Sequence, residues 1–181
     1  MFTLAEETAS DWWEVEALYD LCFAPGREAL SSYRLRTDIA PVPELCLALR
    51  DGAGILVAAI RYWPVRIARA RAGLVPALLL GPIAVHPTHQ GEGLGALLIS
   101  ESLSVARGLG WARVMLVGDL PYYRRFGFER LAGITMPPPT NPDRVLGIAL
   151  HPSAWAGVQG QVVPWSQDQP PLATGPSSDY L

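Results

Sequence analysis

The stretch VHPTHQGEGLGALL, Val85 to Leu98, sets three glycines at alternate positions, Gly91, Gly93 and Gly95, behind an apolar run and ahead of a helical pattern. A strand leading into a glycine loop and then a helix presents unpaired backbone amides at the helix's positive end. That is an anion site, and diphosphate is its commonest occupant. Glycines let phosphate oxygens approach the main chain with no Cβ in the way, whereas a turn alone would need one. The literal pattern Gly91-x-Gly93-x-x-Ala96 also fits the dinucleotide fingerprint G-x-G-x-x-G/A. In that fold, however, the glycines follow the first strand at once, and here HPTHQ intervenes after several strand candidates. All fourteen basic residues are arginine, so a phosphate loop of the G-x-x-x-x-G-K-S/T kind is excluded.

Outward from the loop, Ala77 to Val85 is apolar throughout, as in a strand buried on both faces. Leu94, Leu97, Leu98, Val105 and Leu109 mark the expected buried stripe of the following helix, which Gly108 and Gly110 end. Upstream, Phe2 to Ala5 is a strand candidate. Ser10 opens a helix with Val15, Leu18, Tyr19 and Cys22 on one face, and a weaker helical segment covers Glu28 to Thr37. Leu45 to Leu49 and Ile55 to Ile60 read as a hairpin across Asp51-Gly52. Arg61 to Gly73, alternating arginine with apolar residues, reads as an exposed hairpin arm with one polar face. Downstream, Arg113 to Val117 is a buried strand, Leu120 to Phe126 a short helix closed by Gly127, and Phe128 to Met136 and Arg144 to Leu150 further strands.

With 181 residues, half of them hydrophobic, the chain is expected to form one domain over residues 1–163. From Pro164 onward, PWSQDQPPLATGPSSDYL reads as a loose tail. A net charge of -3 gives no reason to expect nucleic acid. No run approaches the roughly 18 apolar residues of a membrane span, and the acidic start MFTLAEETAS is unlike a secretory signal, so a cytoplasmic protein is expected. Cys22 and Cys46 read as reduced, buried thiols with neither disulfide count nor metal spacing, and no metal is expected.

Gln90-Gly91-Glu92-Gly93-Leu94-Gly95 resembles the Q/R-x-x-G-x-G/A signature of the GNAT acyltransferases, whose loop binds the pyrophosphate of acetyl-coenzyme A. LGPIAVHP, Leu80 to Pro87, looks like that family's central strand and its exit. YYRRFGF, Tyr122 to Phe128, is similar to its closing helix motif, with a tyrosine four residues before the glycine of a Gly-Phe pair. The resemblance runs over roughly Phe2 to Leu150 and is nearest a bacterial YhbS-like branch, which names no substrate. It implies a mixed α/β (α+β) fold whose mostly antiparallel central sheet is flanked by helices and opens to admit acetyl-CoA (CoA). It implies further that Ile83, Ala84 and Val85 pair with the pantetheine arm, the Ile83 amide facing the thioester oxygen. Gln90, Gly91, Glu92, Gly93, Leu94, Gly95 and Ala96 would cradle the diphosphate. Tyr123 would stand beside the sulfur, with Tyr122, Asp119 and Arg125 near the cofactor. Where many relatives carry an asparagine ahead of the short helix, this chain reads LVGDLP.

The implied reaction is acetyl transfer to a primary amine of a small molecule or peptide by direct attack in a ternary complex. A homodimer is compatible with it. A fixed strand amide suits the developing oxyanion, and a neutral tyrosine, titrating near roughly 10, can return a proton to a thiolate of pKa about 8.5. The base is open: Glu28, Asp38, Glu44, His151 and a water chain are the candidates. His86 reads as structural, and His89 at most as a contact beyond the phosphates. The acceptor would sit between the first two helices and the Arg61 to Gly73 arm, against Tyr33 and Trp63. The competing reading is a non-catalytic acyl-CoA-binding or interaction module that keeps the cleft.

Overall fold

The apolar run ahead of the glycine loop becomes the axis of a mixed sheet. In the computed structural model the described residues are 1–23, 26–71 and 73–166. β4 (Gly73–Val85) pairs along its length with antiparallel β3 (Leu56–Arg69), whose other edge takes β2 (Leu47–Arg50) and then β9 (Gly160–Pro164). β1 (Thr3–Glu6) closes the β2 side. On the far side of β4, β5 (Arg113–Val117) runs parallel to it, followed by antiparallel β8 (Val145–Ala149) and the short β6 (Glu129–Arg130). β7 (Ile134–Thr135) pairs with β9. The parallel β4–β5 step needs a crossover, which α2 (Leu94–Gly108) supplies. This is the mostly antiparallel α/β architecture expected above.

α2 buries Leu94, Leu98, Ile99, Leu103 and Ala106 with β2, β3 and β4 in one core. Leu97 and Val105, assigned to the buried stripe, are exposed instead. The stripe advances by one position because the buried Ser102 joins it, sharing a 2.8 Å hydrogen bond with the Tyr62 hydroxyl and donating back to Leu98 O at 2.6 Å. α1 (Trp12–Cys22) packs Val15, Leu18 and Tyr19 against Ala59 and Ala84. It starts later than Ser10 because Asp11 stands at its N-cap. That carboxylate accepts from both the Thr8 amide and the Thr8 hydroxyl at 2.7 Å, which holds its pKa at about 2.

The segment Arg61 to Gly73 is not an exposed arm. It is the second half of β3 and the start of β4, and Arg61 and Arg66 are only 2% and 5% exposed. Both guanidiniums are buried because both are matched. Arg61 donates to both Glu7 oxygens at 2.9 and 2.6 Å and to Glu16, beneath the Trp12 ring at 4.0 Å. Arg66 donates to Ser166 Oγ at 2.9 Å and stacks on Trp165 at 4.4 Å. Pro164, Trp165 and Ser166 are therefore held in place rather than loose. The rest of the expected tail, residues 167–181, lies outside the described residues.

The segment Glu28 to Thr37 forms two 3-10 turns, Arg27–Ala29 and Ser31–Leu35, because the extended Leu30 interrupts them. Phe128 to Met136 yields two short strands around the left-handed Gly133 rather than one. Cys46 is buried, Cys22 is half-buried, and both thiols are free. No helix among the described residues is long and apolar enough to cross a membrane.

Candidate active site

β4 and β5 pair only through Leu78 with Val114 and Leu79 with Met115, and beyond that point they part. β4 continues to Val85 with β3 on one edge alone. His86 donates its amide to Val57 O at 2.7 Å on the β3 side. Alternation along the strand then turns the Ile83 and Val85 amides to the opposite, open edge. A bulge at Gly81 and Pro82, opposite Arg61, sets the phase of this alternation. The Tyr19 hydroxyl donates to Pro82 O at 3.3 Å and the Cys22 thiol to Val85 O at 3.4 Å, so α1 pins the strand end from its own side. Between the parted strands lies a cleft of about 750 Å³, lined among others by Tyr33, Arg36, Ile83, Asp119, Tyr122 and Tyr123.

Tyr123 ends α3 (Leu120–Tyr123), which β5 feeds through Gly118 and Asp119. Its ring meets Phe128 at 5.8 Å and Tyr122 at 4.9 Å between centroids. A Cβ on Gly118 would stand 2.6 Å from Tyr123 Cε2, so only glycine leaves room for this ring. Sequence reasoning missed Gly118, although the departure LVGDLP was the place to look. Burial pushes the Tyr123 pKa up to about 12, with Tyr122 adding and Arg144 opposing, so the hydroxyl keeps its proton at neutral pH.

The glycine loop turns onto α2 with Gly91 and Gly93 in the left-handed region, at φ 85° and 80°. Leu97 is the first amide to bond back, to Gly93 O at 3.0 Å, which leaves the amides of Leu94, Gly95 and Ala96 without an intrahelical acceptor. Gln90, Gly91, Glu92 and Gly93 are exposed, and the Leu94 side chain is buried, so only its amide could face a ligand. The loop lies outside the cleft's lining and joins it through Tyr122. A Cβ on Gly95 would lie 3.2 Å from the Tyr122 hydroxyl, and Arg125 stacks on the Tyr122 ring at 4.3 Å. Glu92 precedes the helix and meets His89 Nδ1 at 3.2 Å. His86 accepts from the Thr88 amide at 3.3 Å, capping the turn Pro87–His89.

At the other end of the cleft, Tyr33 lines the wall but Trp63 does not. Trp63 is 8% exposed and packs beneath the wall in the core with Val65 and Leu79. Glu28, Asp38, Glu44 and His151 are exposed and lie outside the lining. Asp119 is the one carboxylate among the described residues that line the cleft. Among the described residues no three His, Cys, Asp or Glu side chains gather as metal ligands would.

A family model described as an acetyltransferase (GNAT) domain matches residues 4–131. The uncharacterized N-acetyltransferase YhbS of Escherichia coli K12 is 30% identical over 118 residues, covering 65% of this chain and 68% of that protein. The crystal structure of E. coli YhbS in complex with CoA superposes with a TM-score of 0.76 at 26% identity, covering 91% of this chain and 89% of that one. A GNAT family acetyltransferase from Brucella melitensis, in complex with acetyl-CoA, gives a TM-score of 0.67 at 28% identity, over 90% of this chain and 95% of that one.

Proposed function

Since this chain belongs to the GNAT family of acetyltransferases, we propose that it transfers the acetyl group of acetyl-CoA to a primary amine of a small molecule or peptide, by direct attack in a ternary complex. One observation carries the reading. The open edge of β4 at Ile83 and the protonated Tyr123 line the same cleft. The residues fit a CoA thioester: a strand edge for an extended amide arm, then amides at a glycine-loop helix start for a diphosphate. Acetyl-CoA, when bound, supplies the activated acyl group.

The chain's own groups then divide the work. The Ile83 amide donates to the oxygen on which negative charge develops, and its position is fixed by β3 behind it. Tyr123 holds a proton for the leaving sulfur. The amine's proton leaves through water, with Asp119 as the carboxylate at the cleft. Tyr122 and Arg125 carry the wall from the cleft to the first turn of α2.

Acetyl-CoA at about a hundred times its dissociation constant is expected to add roughly 2.7 kcal/mol of stability. For a chain of this length that raises Tm by roughly 5–11 °C. A shift with NADH and none with acetyl-CoA, in parallel thermal scans, would overturn the reading.

Glu92 opposes the diphosphate, since its carboxylate stands just ahead of the same helix end. It is 45% exposed on its side chain, so solvent screens the effect. Glu92→Gln is expected to tighten acetyl-CoA binding by less than about fivefold, with the gain shrinking as salt rises. Calorimetric titration at low and high ionic strength checks this, and weaker binding by the variant would reverse the sign of the argument.

A further inference from the structure

Three arginines meet behind the acceptor end of the cleft, and acids match two of them. Arg61 is held by Glu7 and Glu16, and Arg27 by Glu16 and Asp20, with a further hydrogen bond from Arg27 to the Tyr33 hydroxyl at 2.7 Å. Arg36 differs from both. Its guanidinium lies over the Tyr33 ring at 4.2 Å and faces the Trp63 ring at 5.6 Å. Nε and Nη1 are buried with no hydrogen-bond partner. Nη2 reaches Gly81, 3.6 Å from where a Cβ there would stand, and the residue lines the cleft. Burial is the largest influence on its pKa, drawing it down to about 10, with Tyr33 opposing; the group is still a cation at neutral pH.

A desolvated cation with unfilled donors is costly, and aromatic faces offset only part of that cost. An anion that accepts from Nη2 in the cleft would supply the missing charge, and an arginine–carboxylate bond is among the stronger pairings available. Gly81 stands two residues before Ile83 across the bulge in β4, a Cα separation of no more than about 7 Å. A carboxylate held there leaves its own amino group within reach of the carbon that the Ile83 amide would serve. The span suits a small amino acid, whereas the Arg36 cation would repel a polyamine at this position.

Resting on the acetyl-transfer reading, we propose that Arg36 selects the acceptor: it binds the carboxylate of a small amino acid whose amine receives the acetyl group. Tyr33 and Trp63 hold the guanidinium in place, and Tyr33 also forms part of the wall the substrate meets.

The test uses the standard L-α-amino acids and their carboxamides as probes, each with acetyl-CoA. Released thiol and the thermal shift are read for the unaltered protein and for Arg36→Met. At least one free acid is expected to be turned over with a kcat/KM at least tenfold above its carboxamide. Arg36→Met is expected to raise KM for that acid by roughly ten- to a hundredfold, the loss of a charge-assisted hydrogen bond. The same substitution should cost the carboxamide much less, since its oxygen accepts from Arg36 without a charge to pair, and should leave acetyl-CoA affinity unchanged without lowering the apo Tm. Equal use of acid and carboxamide overturns the proposal, as does an undiminished acid preference in Arg36→Met. So does the absence of any amino-acid shift or turnover in a protein that binds acetyl-CoA, whereas failure to bind acetyl-CoA overturns the function itself. The acid–carboxamide comparison in the unaltered protein stands whether or not the variant folds.

Discussion

Replacing Tyr123 by phenylalanine is expected to lower kcat by roughly ten- to a thousandfold while leaving acetyl-CoA affinity nearly unchanged, since the change removes one proton donor and keeps the ring. The ring's packing on Phe128 and Tyr122 survives the substitution, so the loss reports on the hydroxyl. With its pKa raised to about 12, Tyr123 stays protonated across the working range, and its deprotonation costs activity only as pH rises toward that value. The phenylalanine variant should therefore show the same pH profile between about 6 and 9, displaced downward. Gly118→Ala offers a companion in which the hydroxyl is kept and moved. Its new Cβ would fall 2.6 Å from Tyr123 Cε2 and 2.9 Å from Leu116 Cδ1, so the ring must shift and kcat should fall as well. Equal single-turnover rates for Tyr123→Phe and the unaltered protein would remove Tyr123 from proton donation and favour a cleft that binds without catalysing.

The largest stability effect is expected at Arg61. Its guanidinium, 2% exposed, is bonded to a Glu7 carboxylate only 5% exposed, and removing either partner strands a buried charge. Such losses cost about 3–5 kcal/mol, so Arg61→Met should lower Tm by roughly 6–20 °C in a chain of this length. Adding Glu7→Gln should restore much of that fall, because two neutral side chains leave no stranded charge. Glu16 limits the recovery, since it also accepts from Arg27 and would keep one bond short. Thermal scans of the two single variants and the double decide the matter; additive losses would show that Arg61 and Glu7 act independently.

Much of the sheet was legible because its strands are apolar runs bounded by Gly, Pro and Asp. β4 through the glycine loop into α2 is local in sequence, so the motif and its geometry coincide. The misreadings concern long-range pairing. Arg61 and Arg66 alternate with apolar residues as solvent-facing charges would, and nothing nearby in the chain reveals that Glu7, Glu16 and Ser166 stand ready to receive them. The same holds for Ser102, which joins a buried stripe only because Tyr62 shares a hydrogen bond with it across the core. In the site, Tyr123 could be marked from its spacing to Gly127. Gly118 could be located only as part of the departure LVGDLP, because its importance is the space beside a ring five residues on. Trp63 drew notice as an aromatic near the acceptor, yet Arg36 stands between it and the cleft.

The two ends of the cleft are built from different parts of the chain. Toward the acyl donor, the proposed contacts are mostly peptide groups, those of Ile83, Val85 and the first turn of α2. Every residue but proline carries the same amide, so outside the loop glycines few single codon changes can erase them. Toward the acceptor, the proposed contact is one guanidinium just past the end of a 3-10 turn, propped by Tyr33 and Trp63. A lineage drifting under mutation would thus hold its acyl donor nearly constant while changing acceptors in a step or two. Relatives that share the loop from Gln90 to Ala96 but differ at position 36 would be expected to diverge in substrate before they diverge in chemistry.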